Sequence, residues 1–132
     1  MFILGEIVAD LNMSSVNRDL LLAGILLHDI GKVCEFKVSP ATGLVIGYTE
    51  EGNLLGHSVL GVREITEAAD IVAARPEVSL MLQQMVFSHH GDPTAGAAKV
   101  PMTIEAQILH DLDSLDSQKQ VFCRTAFRSV SA

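Results

Sequence analysis

The sequence predicts a mainly α domain carrying one short β-hairpin, and three observations carry that prediction. Apolar residues recur at helical spacing over most of the chain. A single β-prone stretch is folded around the turn sequence Ser39-Pro40-Ala41-Thr42-Gly43. A length of 132 residues suits one core and leaves little for a second.

Taken in order, Ile3, Leu4, Ile7, Val8 and Leu11 mark one side of a first helix, Phe2 to Leu11, with Glu6 and Asp10 on the other. No capping residue precedes it, so the pattern begins in mid-helix. Asn12 to Asn17 is a polar connector from which Ser15 or Asn17 can cap a second helix, with Asp19 in its first turn. That helix, about Arg18 to Ile30, carries Leu20, Leu21, Leu22, Ala23, Ile25, Leu26 and Leu27 on every side and should be enclosed by neighbours. Gly24 permits close approach of another helix, and Gly31 stands at the C′ position just past the end.

Val33 to Val38 and Leu44 to Thr49 are the two strands expected of the hairpin, followed by a turn at Glu50-Glu51-Gly52-Asn53. A third helix opens at Gly56-His57-Ser58 and runs to about Ala74, with His57 at its N-terminus. Arg75-Pro76-Glu77 separates it from a fourth, because Pro suits the first helical position. Leu80, Met81, Met85, Val86 and Phe87 give the fourth helix its buried side, with the two methionines read as core filling. It ends at Ser88-His89-His90-Gly91. The Gly-, Ala- and Thr-rich stretch Asp92 to Val100 is a loop beside the paired histidines, and Pro101-Met102-Thr103 starts a long last helix to about Arg128, on which His110 and Asp113 share a face.

Hydrophobic residues make up 48% of the chain and charged ones 19%, with a mean hydropathy of +0.35. No apolar run reaches the length of a membrane span, so the composition points to a homo-oligomer that hides apolar surface, without a membrane partner. A net charge of −7 argues against broad electrostatic adhesion to nucleic acid. Cys34 and Cys123 form no CxxC, and with no signal peptide visible they are expected as reduced thiols in a cytoplasmic chain.

The chemistry centres on Leu27-His28-Asp29-Ile30-Gly31-Lys32, which closes the most apolar run and places an imidazole beside a carboxylate where the chain should be buried. Such a pair is costly to bury alone, and a divalent metal ion satisfies both groups together. The bland alternative is a hydrogen-bonded dyad at a helix end. His57, His89, His90, His110 and Asp113 shift the balance towards a metal, since all the histidines lie at element ends or on one late helix. For Lys32 two readings stand: a cation favoured at a helix C-terminus, or one aimed at a substrate phosphate.

Taken together, His28-Asp29, Gly56-His57, Ser88-His89-His90-Gly91 and Ala106-x-x-x-His110-x-x-Asp113 resemble the HD superfamily of metal-dependent phosphohydrolases. The closer likeness is to the HD domain of bacterial 3′→5′ exoribonucleases that carry an OB-fold ahead of it, through Asn17-Arg18-Asp19-Leu20-Leu21, Tyr48-Thr49-x-x-Gly52 and Glu105-Ala106-x-Ile108-Leu109-His110-x-x-Asp113-x-x-Asp116 as well. The resemblance implies an HD-domain helical bundle with the hairpin inserted after the HD helix. It implies one or two divalent ions (Mn²⁺, Fe²⁺ or Mg²⁺), one held by His28, Asp29 and Asp113, the other by His57, His89 and His90 with Asp29 bridging. The implied activity is hydrolysis of a phosphoester, RNA or a small nucleotide, by a metal-activated hydroxide. In it Asp29 and Lys32 are catalytic, Lys32 neutralising charge on the phosphoryl oxygens, and His110 supports from behind.

Three departures qualify the likeness. The family takes its first metal ligand from a histidine on the helix before the HD pair, whereas no histidine occurs between Met1 and Leu27. Residues 1–132 therefore read as a single HD domain lacking the start of its first helix, through truncation, a late start or decay. The alternative function is accordingly a catalytically decayed scaffold that binds or oligomerises. No OB-fold is present and aromatic residues are only 5%, so nucleic-acid binding would need a separate partner or domain. The loop Gly91 to Pro101 has Thr94-Ala95-Gly96-Ala97-Ala98 where the subfamily has an acidic residue and a Gly-Ser-Pro run, which leaves substrate choice open.

Overall fold

A computed structural model describes residues 1–11, 15–92, 94 and 98–130, with 119–130 as backbone only. Parts of the connector after Leu11 and of the loop after Asp92, and the Cys123 side chain, lie outside the described residues. The elements follow the expected order: α1 (Phe2–Leu11), α2 (Arg18–Leu27), α3 (Lys32–Glu35), β1 (Phe36–Val38), β2 (Val45–Tyr48), α4 (Glu50–Ile71), α5 (Pro76–Ser88) and α6 (Ile104–Val130). The fold is mainly α with a two-stranded antiparallel sheet.

The core sits where α1, α2, α5 and α6 meet, with Ala9, Leu21, Met85, Ala106 and Leu109 fully buried. Asn17 caps α2 by accepting from the Leu20 N–H at 3.1 Å, and its own N–H donates to Glu105 Oε1 at 2.7 Å, tying the starts of α2 and α6 together. Gly24 makes the close approach expected of it: a Cβ there would strike the Met85 thioether. The expectation that α2 is enclosed on every side holds only for part of its circumference. Leu20, Leu21, Gly24 and Ile25 are buried, whereas Leu26 is exposed. Of the buried side expected for α5, Met85 and Val86 are fully buried, whereas Leu80 and Met81 are exposed, so only Met85 of the two methionines fills the core.

Five local expectations are corrected. The HD helix stops at Leu27, and the next four residues form turns that lead into α3. Gly31 is right-handed (φ −62°), so it is glycine for closeness and not for handedness. A Cβ on it would collide with the His57 carbonyl and the Gly61 amide. Val33 to Glu35, expected in a strand, are helical, because α3 packs on α4 and this tertiary contact outweighs the β-propensity of Val33. The hairpin keeps Phe36 opposite Tyr48 and Lys37 opposite Gly47, with the two rings 5.1 Å apart. Finally, Glu50 to Asn53 are the first turn of α4, capped by Thr49 Oγ1, which accepts from the Gly52 N–H at 2.9 Å. Gly56, expected to start that helix, instead breaks it with φ 70° and ψ 163°.

The Gly31 contact makes a direct prediction. Gly31→Ala should destabilise the protein by about 3 kcal/mol, because the obstacles are backbone atoms that cannot swing aside. Urea denaturation measures it, and an unchanged midpoint would show that α3 and α4 separate at little cost. Among the described residues no helix is long and apolar enough to cross a membrane. Cys34 is a free thiol that donates to Glu64 Oε1 at 3.3 Å, and this bond raises its pKa.

Candidate metal centre

The predicted site residues arrive from five separate places, most of them helix ends. His28 is the C-cap of α2, Asp29 follows it, and Lys32 begins α3. His57 follows the break at Gly56, His89 is the C-cap of α5 with His90 beside it, and Asp113 lies on α6. The structure brings all of them to one neighbourhood.

Asp29 is in the middle. Its Oδ2 lies 3.4 Å from His28 Nε2 and 2.7 Å from Lys32 Nζ, and its Oδ1 lies 3.7 Å from His57 Nε2 and 3.9 Å from His89 Nε2. On one side His28 Nε2 reaches Asp113 Oδ1 at 3.7 Å. On the other, His57 Nε2 lies 3.0 Å from His90 Nε2 and 3.4 Å from His89 Nε2. Ligand atoms of His57, His89 and His90 all fall within 4.8 Å of one another.

Hydrogen bonding behind the rings decides which nitrogen faces the centre. Carbonyls in the last turn of a helix lack intrahelical partners. His28 Nδ1 takes the Ile25 carbonyl at 2.9 Å and His89 Nδ1 the Val86 carbonyl at 2.6 Å, each from the helix that the histidine ends. Because a carbonyl only accepts, both Nδ1 atoms carry hydrogen, and each Nε2 presents a lone pair. His57 Nδ1 reaches the Glu35 carboxylate at 3.3 Å with the same result. His110 donates from Nδ1 to the His89 carbonyl at 2.8 Å, supporting that turn from behind, and Gly91 has no room for a Cβ because His110 lies against it.

This donor set fits a divalent cation. Bare Nε2 atoms on His57 and His89, 3.4 Å apart with a carboxylate oxygen beside them, repel one another unless a positive charge stands between them. Protonation preferences point the same way. Burial first, and then the neighbouring imidazoles, push His89 down to about 4, so it is neutral at physiological pH. Burial and His57 likewise lower His90. Burial opposes charge on both His28 and Asp29, yet their mutual contact wins: it raises His28 and, with Lys32, holds the Asp29 carboxyl well below the usual carboxylate range. A proton on His28 Nε2 and a metal ion would compete for the same place.

Glu35 is the member that sequence reasoning missed. An acidic residue in the apolar run Val33-Cys34-Glu35-Phe36 was the available signal. A separate apolar cavity of about 440 Å³, lined by Leu27, Ile30, Ile65, Ala68, Val72 and Leu82 among others, contains none of the clustered groups.

With the geometry in place, comparison with known proteins identifies the family. A family model described as HD domain matches residues 1–118. The chain belongs to the HD domain family. Among curated relatives, a protein named 3′-5′ exoribonuclease YhaM from Bacillus licheniformis is 46% identical over 125 residues, covering 95% of this chain and 38% of that protein. Its namesake in Bacillus subtilis is 43% identical over 125 residues with the same coverage, and that in a Geobacillus species 46% over 110 residues, covering 83% of this chain and 33% of the relative. This HD chain thus spans about a third of the length of those relatives. No solved structure matches it.

Proposed function

We propose that residues 1–132 form a single HD domain that is a metal-dependent phosphohydrolase acting on a phosphodiester, at RNA ends or in small nucleotides. The single observation that carries this reading is the convergence of His28, Asp29, His57, His89, His90 and Asp113 with ring nitrogens bared towards a common centre. His28, Asp29 and Asp113 would hold one ion (Mn²⁺, Fe²⁺ or Mg²⁺), and His57, His89 and His90 a second that shares Asp29. Bound there, such ions supply Lewis acidity and a water made acidic enough to act as a nucleophile at neutral pH.

The chain's own groups do the rest. Carbonyl and carboxylate acceptors behind the imidazoles fix their tautomers, so no reorganisation is needed to present Nε2. Asp29 joins the two halves of the cluster and also anchors Lys32 at 2.7 Å. Lys32 is half-exposed with its ammonium beside Asp29, where it would neutralise charge that develops on phosphoryl oxygens. The relatives named as exoribonucleases support RNA as the substrate class. The same reading takes the protein as cytoplasmic, with a separate domain or partner binding nucleic acid, and as homo-oligomeric, the last supported by the exposed apolar face of α1 (Ile3, Leu4, Ile7).

Elemental analysis and hydrolysis of bis-p-nitrophenyl phosphate with Mn²⁺ test the proposal. Bound divalent metal and metal-dependent turnover are expected. A folded protein that holds no ion and hydrolyses nothing would overturn it and leave the HD scaffold as a binding module. Lys32→Ala should lower kcat about 100-fold while metal content stays at the wild-type level. Loss of metal together with activity would instead make Lys32 a structural partner of Asp29.

A further inference from the structure

Glu35 enters the reading above only as an acceptor behind His57, yet its carboxylate is aimed at that one residue by the backbone around it. It ends α3 and is 6% exposed, and a carboxylate so buried is costly unless it accepts hydrogen bonds. Its Oε1 accepts two, both from His57: the backbone N–H at 3.0 Å and Nδ1 at 3.3 Å.

The backbone is built for this contact. In an unbroken helix the His57 N–H would bond to the Asn53 carbonyl. The break at Gly56, in the left-handed region that favours glycine, turns that N–H onto Glu35 instead. Thr49 then locks the two segments together, its N–H donating to the Glu35 carbonyl at 2.9 Å and its hydroxyl to the Cys34 carbonyl at 2.8 Å. Gly52 lets the α4 backbone lie against that of Glu35, and Gly31 does the same at the His57 carbonyl.

We infer that Glu35 is a positioning residue that fixes the Nδ1–H tautomer of His57 and, by its negative charge, strengthens His57 Nε2 as a donor to a metal ion. The contrast within the site supports it. His28 and His89 are backed by neutral carbonyls, and His57 by a carboxylate. A carboxylate behind a ligating imidazole raises its basicity, and its loss typically costs ten- to a hundredfold in metal affinity. The part concerning metal rests on the proposed function; the part concerning the tautomer does not.

Two measurements on the full chain separate them. Long-range ¹H–¹⁵N NMR of the imidazoles in EDTA-treated wild type should show His57 protonated on Nδ1. Glu35→Gln keeps an acceptor and removes the charge, so it should retain that tautomer while its affinity for Mn²⁺, by titration calorimetry, falls at least tenfold. A purely structural Glu35 would lower the melting temperature and leave Mn²⁺ affinity unchanged, which would overturn the inference, as would a His57 protonated on Nε2. Should Glu35→Gln fail to fold, the wild-type tautomer decides. Should wild type bind no Mn²⁺, the metal reading falls and the tautomer still judges Glu35.

Discussion

Asp29→Asn is expected to lower metal-dependent diester hydrolysis at least a thousandfold, about 4 kcal/mol of barrier, and to strip divalent metal from the purified protein. The magnitude follows from position. Asp29 lies within 4 Å of groups on both sides of the cluster, facing His28, Lys32, His57 and His89 at once. Asparagine has the same shape and can still accept from Lys32, so the fold should persist while the charge that joins the two halves is lost. Asp113→Asn is the control. Asp113 makes its close contact with His28 at 3.7 Å, at the edge of the cluster, so its loss should be smaller and should leave the His57, His89 and His90 group intact. Metal content by elemental analysis and kcat/KM for the two variants check this. Asp29→Asn that keeps its metal and stays within tenfold of wild type would remove Asp29 from the centre.

Much of this arrangement was legible in the residues, and the rest was not, for a physical reason. A long helix such as Pro76–Ser88 can be located from its apolar period, but the period does not tell which of its apolar residues are buried: Met85 and Val86 are, whereas Leu80 and Met81 are exposed. Imidazoles and carboxylates at helix ends could be read as candidates in the same way. What the sequence could not convey are features set by contacts between distant segments. Val33 to Glu35 are helical because α3 rests on α4, and Gly31 is needed because the His57 carbonyl lies against it. Glu35 belongs to the site only through a bond to a residue 22 positions away, and the Gly56 break makes sense only once that bond is known. The donor nitrogens are likewise chosen by backbone carbonyls whose approach depends on where each helix stops.

Acid should unfold the metal-free protein through His89. Its pKa is lowered from an ordinary 6.5 to about 4, chiefly by burial, a difference worth about 3 kcal/mol. Between those pH values the unfolded chain takes up a proton that the native chain refuses. Stability therefore rises with pH across the window and is lost as pH falls from 6.5 towards 4. His90, lowered mainly by burial, acts in the same sense. His28 is raised, so its contribution is present at low pH and fades as pH rises through its native value, offsetting part of the loss. Urea denaturation in EDTA at pH 7 and pH 4.5 should show the drop, and His89→Asn should flatten it. Equal stabilities at the two pH values, or a His89→Asn variant as pH-dependent as wild type, would mean that the ring is not held neutral by its surroundings. Adding Mn²⁺ at pH 7 should raise the midpoint, because an ion that binds only the native site adds its binding free energy, about 4 kcal/mol at a thousandfold excess over Kd. That gain should vanish in acid faster than the metal-free stability does. Each ligand must be unprotonated to bind, so protons compete both with the fold and with the ion it holds.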